Sequence, residues 1–129
     1  MASELRVDTL KDASGNNSIA TSFVAGGSAK AYASINGQST AATRGTFNMS
    51  SLTDNGTGNY TLDITSDMAD TNYTGQLSSG DHSGADDNFS RQYIYSLNTG
   101  NVSALVAAVS SGSLYDATYF GFTIHGDLA

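Results

Sequence analysis

The sequence predicts an all-β fold, a small antiparallel β-sandwich or jelly-roll-like domain behind an extended N-terminal segment. Three observations carry that expectation. Apolar and polar residues alternate with a period of two in about seven separate runs, the spacing that puts one set of side chains on each face of a strand. The aromatic residues, 7 Tyr and 5 Phe, fall inside those runs, which separates the chain from a disordered polar tract. Ser, Thr, Asn and Gly make up about four residues in ten, the turn-rich composition of a many-stranded protein, and no long amphipathic helix is legible.

The runs are taken in order. Residues 4–10 place Leu5, Val7 and Thr9 on one face. Residues 11–27 are polar and close on Gly26-Gly27, with Ile19 and Phe23 as the large apolar side chains between Leu10 and Gly27. So sparse a segment cannot offset its own ordering entropy. Residues 1–27 are therefore expected to dock on another copy of the chain or on another protein through Leu5, Val7, Leu10, Ile19 and Phe23, leaving 28–129 as the β domain. Within it, residues 29–36 alternate Ala31, Ala33 and Ile35 against Lys30, Tyr32 and Ser34. Residues 44–52 group Gly45, Phe47 and Met49, and residues 59–65 group Tyr60, Leu62 and Ile64. Between these two strands, Asn55-Gly56-Thr57-Gly58 supplies the positive φ angles of a hairpin connection. Residues 72–78 (Tyr73, Gly75, Leu77) and 89–97 (Phe89, Arg91, Tyr93, Tyr95, Leu97) continue the pattern. Residues 102–109 read two ways, because Val102, Leu105, Val106 and Val109 have helical spacing while the valine content favours a strand. Residues 114–125 end the chain with Thr118, Phe120, Phe122 and Ile124 on one face.

Charge and composition exclude several functions. The 129-residue chain carries 5 basic and 12 acidic side chains, net −7, which disfavours nucleic acid as a ligand. No stretch reaches the length of a membrane span, and the first residues lack the pattern of a secretory signal, so no membrane insertion is expected. Absent cysteine removes disulfides, thiolate metal sites and thiol nucleophiles. His82 and His125 lie in different segments and no strand-turn-helix nucleophile elbow is present, so no catalytic set and no cofactor is expected.

Two groups remain as candidate binding residues. The loop 81–88 gathers Asp81, His82, Asp86, Asp87 and Asn88, oxygen-rich chemistry suited to a polar ligand or to a hard cation such as calcium. Asp81, Asp86 and Asp87 would be the cation's ligands, although their spacing is not that of an EF-hand and a solvated turn has the same composition. Tyr93, Tyr95, Tyr115 and Tyr119 form the second group, since tyrosine offers an apolar face to a sugar ring and a hydroxyl at its tip. The same residues also suit plain sheet packing. Contacts are expected at the loop 81–88 and around Tyr115.

The segment Gly27-Ser28-Ala29-Lys30-Ala31-Tyr32, with Ile35-Asn36-Gly37, resembles a domain of tail fibres and related fibre-like virion proteins of bacteriophages, especially phages of aquatic bacteria. The likeness continues from Phe47-Asn48-Met49 through Asn55-Gly56-Thr57-Gly58-Asn59-Tyr60-Thr61, and Leu5-Arg6-Val7-Asp8-Thr9-Leu10 looks like the usual lead-in. Tyr32 and Ile35 stand where the family more often has Trp and Phe. The resemblance implies an exposed, homotrimeric β domain on the virion's outer surface, made in the host cytoplasm, touching other virion proteins of capsid or tail and contributing to attachment on host-surface glycans. It implies no enzyme. A capsid decoration protein, holding capsomers together, is the alternative. A polysaccharide-degrading enzyme is the remote one, because nothing organises Asp81, Asp86 and Asp87 as acid and nucleophile.

Overall fold

Ile35, Phe120, Phe122 and Ile124 from one sheet and Tyr60, Leu62, Val102 and Val106 from another meet in a single buried cluster. A computed structural model gives the architecture around it and describes residues 6–15, 18–80 and 90–129. Among the described residues, ten strands and one short helix run in the order β1 (Thr9–Lys11), β2 (Ser18–Ala20), α1 (Thr21–Gly27), β3 (Ala31–Asn36), β4 (Ala42–Phe47), β5 (Met49–Asp54), β6 (Asn59–Ile64), β7 (Thr74–Gly80), β8 (Ser90–Asn98), β9 (Asn101–Ala108) and β10 (Tyr119–His125). Two four-stranded antiparallel sheets, β4-β3-β10-β7 and β5-β6-β9-β8, stack as a sandwich. The fold class read from alternation is the one found.

Period two does most of the work. In β3, Ala31, Ala33 and Ile35 are buried while Tyr32 faces out. β10 buries Phe120, Phe122 and Ile124, and β6 buries Tyr60, Leu62 and Ile64. Three alanines (Ala31, Ala33 and Ala104) leave room for the rings opposite: Tyr60 and Phe120 meet across the sheets at 5.6 Å, and Phe120 and Phe122 pack edge to face at 5.0 Å.

Residues 102–109 resolve as a strand. β9 is central, between β6 and β8, and carries Val102, Ala104 and Val106 on the core face while Ser103 and Ala107 on the other face are also buried. A strand covered on both sides loses its alternation, and the remaining apolar residues mimic a helical spacing. The hairpin expected around Asn55-Gly56 is present, with β5 and β6 paired and Gly56 and Gly58 at φ 117° and 61°.

Residues 44–52, read as one strand, are two strands in different sheets. Asn48, at φ 54°, turns the chain from β4 into β5. Its carboxamide holds the corner: Nδ2 donates to the carbonyls of Lys30 (3.0 Å) and Ser66 (3.1 Å), and Oδ1 accepts from the Ser66 amide at 2.8 Å. The last run is also shorter than expected. The strand begins at Tyr119, while Leu114 touches Ala107 through an isolated bridge.

The N-terminal segment is not one extended run. β1 and β2 form a separate two-stranded hairpin, and the seven-residue α1 follows, tied back by the Thr21 amide to the Asp8 carbonyl at 2.9 Å. Of the described residues of the expected strand at 4–10, Thr9 and Leu10 lie within β1. None of its described residues is buried.

Candidate functional site

The acidic loop and its Asp81, His82, Asp86 and Asp87 lie outside the described residues, as does Leu5. The loop's two roots are placed: Gly80 pairs with Tyr119 and Ser90 with Ala108, and the hydroxyls of Ser79 and Ser90 bond to each other. Among the described residues, no group of three or more His, Asp or Glu could hold a metal ion. No described helix is long and apolar enough to cross a membrane.

The four tyrosines do not form one site. Tyr93 and Tyr95 stand exposed on the outer side of β8, where the Tyr95 hydroxyl donates to Asn59 Oδ1 at 2.9 Å. Tyr119 is on the outer side of the other sheet, 56% exposed. Tyr115 is half-buried against the core, with its amide on the Val106 carbonyl at 3.3 Å. Beside it, the Asp116 carboxylate accepts from the Gly58 amide (2.7 Å) and from the Tyr60 hydroxyl (3.0 Å), a structural knot at one end of the sandwich. Burial and that carboxylate push the Tyr60 phenol well above its ordinary range.

A built surface exists where Tyr119 lies. On the outer face of β4-β3-β10-β7, registered neighbours form rows across the strands. Phe47, Tyr32, Thr123 and Gln76 make the first row, and Gly45, Ser34, Gly121 and Ser78 the second. Asn36 on β3 and Tyr119 on β10 stand two residues further along. The Tyr32 and Phe47 rings are stacked at 6.0 Å, nearly parallel, and both are about half exposed. At the opposite end, the Arg44 guanidinium lies 4.1 Å from the centre of the Tyr119 ring and its Nη1 donates to the Thr118 carbonyl at 2.7 Å.

A β-bulge positions Arg44. Ser34 pairs with Gly45 and the next residue, Ile35, pairs with Thr43, so Arg44 is the extra residue. Regular alternation would put Arg44 on the opposite face from Gly45. The bulge instead lets it reach Tyr119 on the outer face. The result is a trough one row wide, floored by Gly and Ser and walled by aromatic side chains. Sequence reasoning named Tyr119 alone of these residues. The available signal was Tyr32, a large ring on the outward side of a strand whose inward side is small.

In the N-terminal unit, Val7, Leu10, Ile19, Phe23 and Val24 are each exposed, Phe23 by 72%, and Leu10 and Ile19 line a shallow cleft of ≈ 300 Å³ with Lys11, Asp12 and Ser18. The four described residues expected to dock are thus all on the surface. Comparison of the chain with protein-family models, with curated proteins and with solved structures finds no match.

Proposed function

We propose that the chain is a structural protein of a phage virion: an exposed, fibre-like, trimeric β domain that contributes to attachment on the host surface. The observation that supports it most directly is the division of labour along the chain. A closed sandwich with its own core is joined to an N-terminal hairpin and helix that have exposed Leu10, Ile19 and Phe23 and no buried residue among those described. A two-stranded unit of this kind is marginal in water until something covers it. Three copies covering one another, or a neighbouring virion protein, would do so, while the sandwich projects its outer faces. The phage assignment itself rests on the resemblance of residues 5–10, 27–37 and 47–61 to fibre-like virion proteins.

Repetition suits this role. A weak site presented three times per trimer, and again around the particle, gains avidity without further contacts. Gold-labelled antibody against the chain, imaged on intact particles, tests the reading: label on a fibre or tail with neutralised adsorption is expected. Label confined to the head, with adsorption intact, selects the decoration protein instead, and unlabelled particles remove both.

A further inference from the structure

We infer that the trough on the outer face of β4-β3-β10-β7 is a binding site for a sugar chain, lying across the strands between the Tyr32/Phe47 pair and the Arg44/Tyr119 pair. The inference rests on the attachment reading and gives it a site and a ligand class.

Size comes first. The two walls are four residues apart along β3 and β10, from Tyr32 to Asn36 and from Thr123 to Tyr119, or about 13 Å at ~3.4 Å per residue. The four strands span about 14 Å across at ~4.8 Å per neighbour. One polysaccharide chain fits that floor between rings that can stack on its C–H faces.

The chemistry agrees. Ser34, Ser78, Thr123, Gln76 and Asn36 offer hydroxyls and amides of both donor and acceptor type along the trough. Charge gives the strongest argument for this occupant. The chain has 12 acidic residues, yet none lies in β3, β4, β7 or β10. Arg44 is the one Lys or Arg of those strands, and it is fixed in place by Tyr119 and the Thr118 carbonyl. Four neighbouring strands without a carboxylate, on so acidic a chain, admit a hydroxyl-rich polymer whether that polymer is neutral or carries carboxylates. The Tyr32/Phe47 stack and the Arg44/Tyr119 pair bound a floor of small residues, so the apolar surface of this face is divided between two separate walls.

Gly45 gives a clean probe. A Cβ built on it meets nothing within 4 Å, so Gly45→Leu starts from open space and puts apolar bulk on the floor. The experiment titrates the isotope-labelled full chain with two probes, laminarihexaose as the neutral arm and an alginate hexamer as the carboxylated arm, and follows amide shifts. Expected are shifts centred on Ser34, Gly45 and Gly121 in at least one arm, the arm identifying the sugar type, with affinity about tenfold weaker or lost in Gly45→Leu. Tyr32→Ala should weaken the same binding. No shifts in either arm, shifts gathered on Tyr93 and Tyr95 instead, or unchanged affinity in Gly45→Leu would overturn the site. So would a Gly45→Leu protein whose mass falls, because the face would then be a contact between copies. Particle labelling and sugar titration are independent, so the attachment reading and this site can fail separately.

Discussion

Asn48 shows how one side chain can decide the architecture. The left-handed backbone it adopts is tolerated by asparagine better than by other residues with a Cβ, and its carboxamide replaces backbone partners that the corner leaves unpaired. Asn48→Ala should therefore cost about 4 kcal/mol, from three lost hydrogen bonds at ~1 kcal/mol each and a left-handed alanine at ~1 kcal/mol or more. Asn48→Gly loses the bonds but keeps the backbone freedom, so its urea midpoint should fall between alanine's and wild type. Equal midpoints for the two variants would mean that φ is not part of the cost. Tyr60 makes a second prediction, in pH. Burial and the hydrogen bond to Asp116 raise its folded-state pKa, and burial raises that of Tyr73, whose hydroxyl donates to the Asn98 carbonyl at 2.8 Å. A raised phenol favours the neutral form in the native state. Its stabilisation is complete below the unfolded value near ~10 and is lost as pH climbs from there toward the folded value. Urea midpoints should hold to about pH 9 and then drop. The drop should be smaller in Tyr60→Phe, measured against that variant's own midpoint at pH 8. An identical alkaline slope in Tyr60→Phe would exclude Tyr60 as its source.

At the scale of elements, the legible strands were those with one wet face. β3, β6 and β10 alternate because each buries one side, and their inward residues could be named from spacing alone. β9 could not, because both of its sides are covered and Ser103 is buried by bonding to Thr61 Oγ1 at 2.7 Å. The break at Asn48 was hidden for a related reason. Alternation runs through Phe47 and Met49 without a gap, and only long-range pairing tells that the two belong to opposite sheets. The trough was illegible because its parts come from four strands and because a bulge moves Arg44, whereas the acidic loop caught attention by being contiguous. The β5–β6 hairpin was legible through its glycines, and Gly58 gives the element-scale prediction. It sits at φ 61°, and a Cβ there would come within 2.6 Å of the Val106 carbonyl and 2.7 Å of the Tyr115 carbonyl. Left-handed strain alone is worth ~1–3 kcal/mol, and the backbone overlap adds to it. Gly58→Ala should lower stability by at least about 2 kcal/mol, measured by urea unfolding. A loss below about 0.5 kcal/mol, the level of an ordinary surface change, would show that the loop can move away from β9 and residue 115.

At the scale of the whole molecule, the two parts of the chain have different requirements for company. The sandwich draws no strand and no described buried residue from the segment before residue 29, and its link to that segment is local: the Lys30 ammonium bonds to the carbonyls of Ala25 and Ser28, while the Lys30 amide bonds to the Ile124 carbonyl of β10. Removing residues 1–28 should leave the antiparallel β circular-dichroism spectrum and the melting transition of the sandwich in place. The N-terminal unit, in contrast, exposes Leu10, Ile19 and Phe23 and has too few residues to bury them by itself. If three copies cover one another there, light scattering on the full chain should return three times the 13.3 kDa chain mass, and the shortened protein should return that of one chain. A shortened protein that stays trimeric would move assembly onto the sandwich, and the outer faces would then have to be reconsidered as contacts between copies. A shortened protein that fails to fold would show that the hairpin and α1 complete the core, which the absence of buried side chains in α1 argues against. The acidity of the chain sharpens the test. At net −7 per chain, three copies held close repel one another, an effect screened beyond ~10 Å at 0.1 M salt, so association through the apolar segment should strengthen as salt is raised.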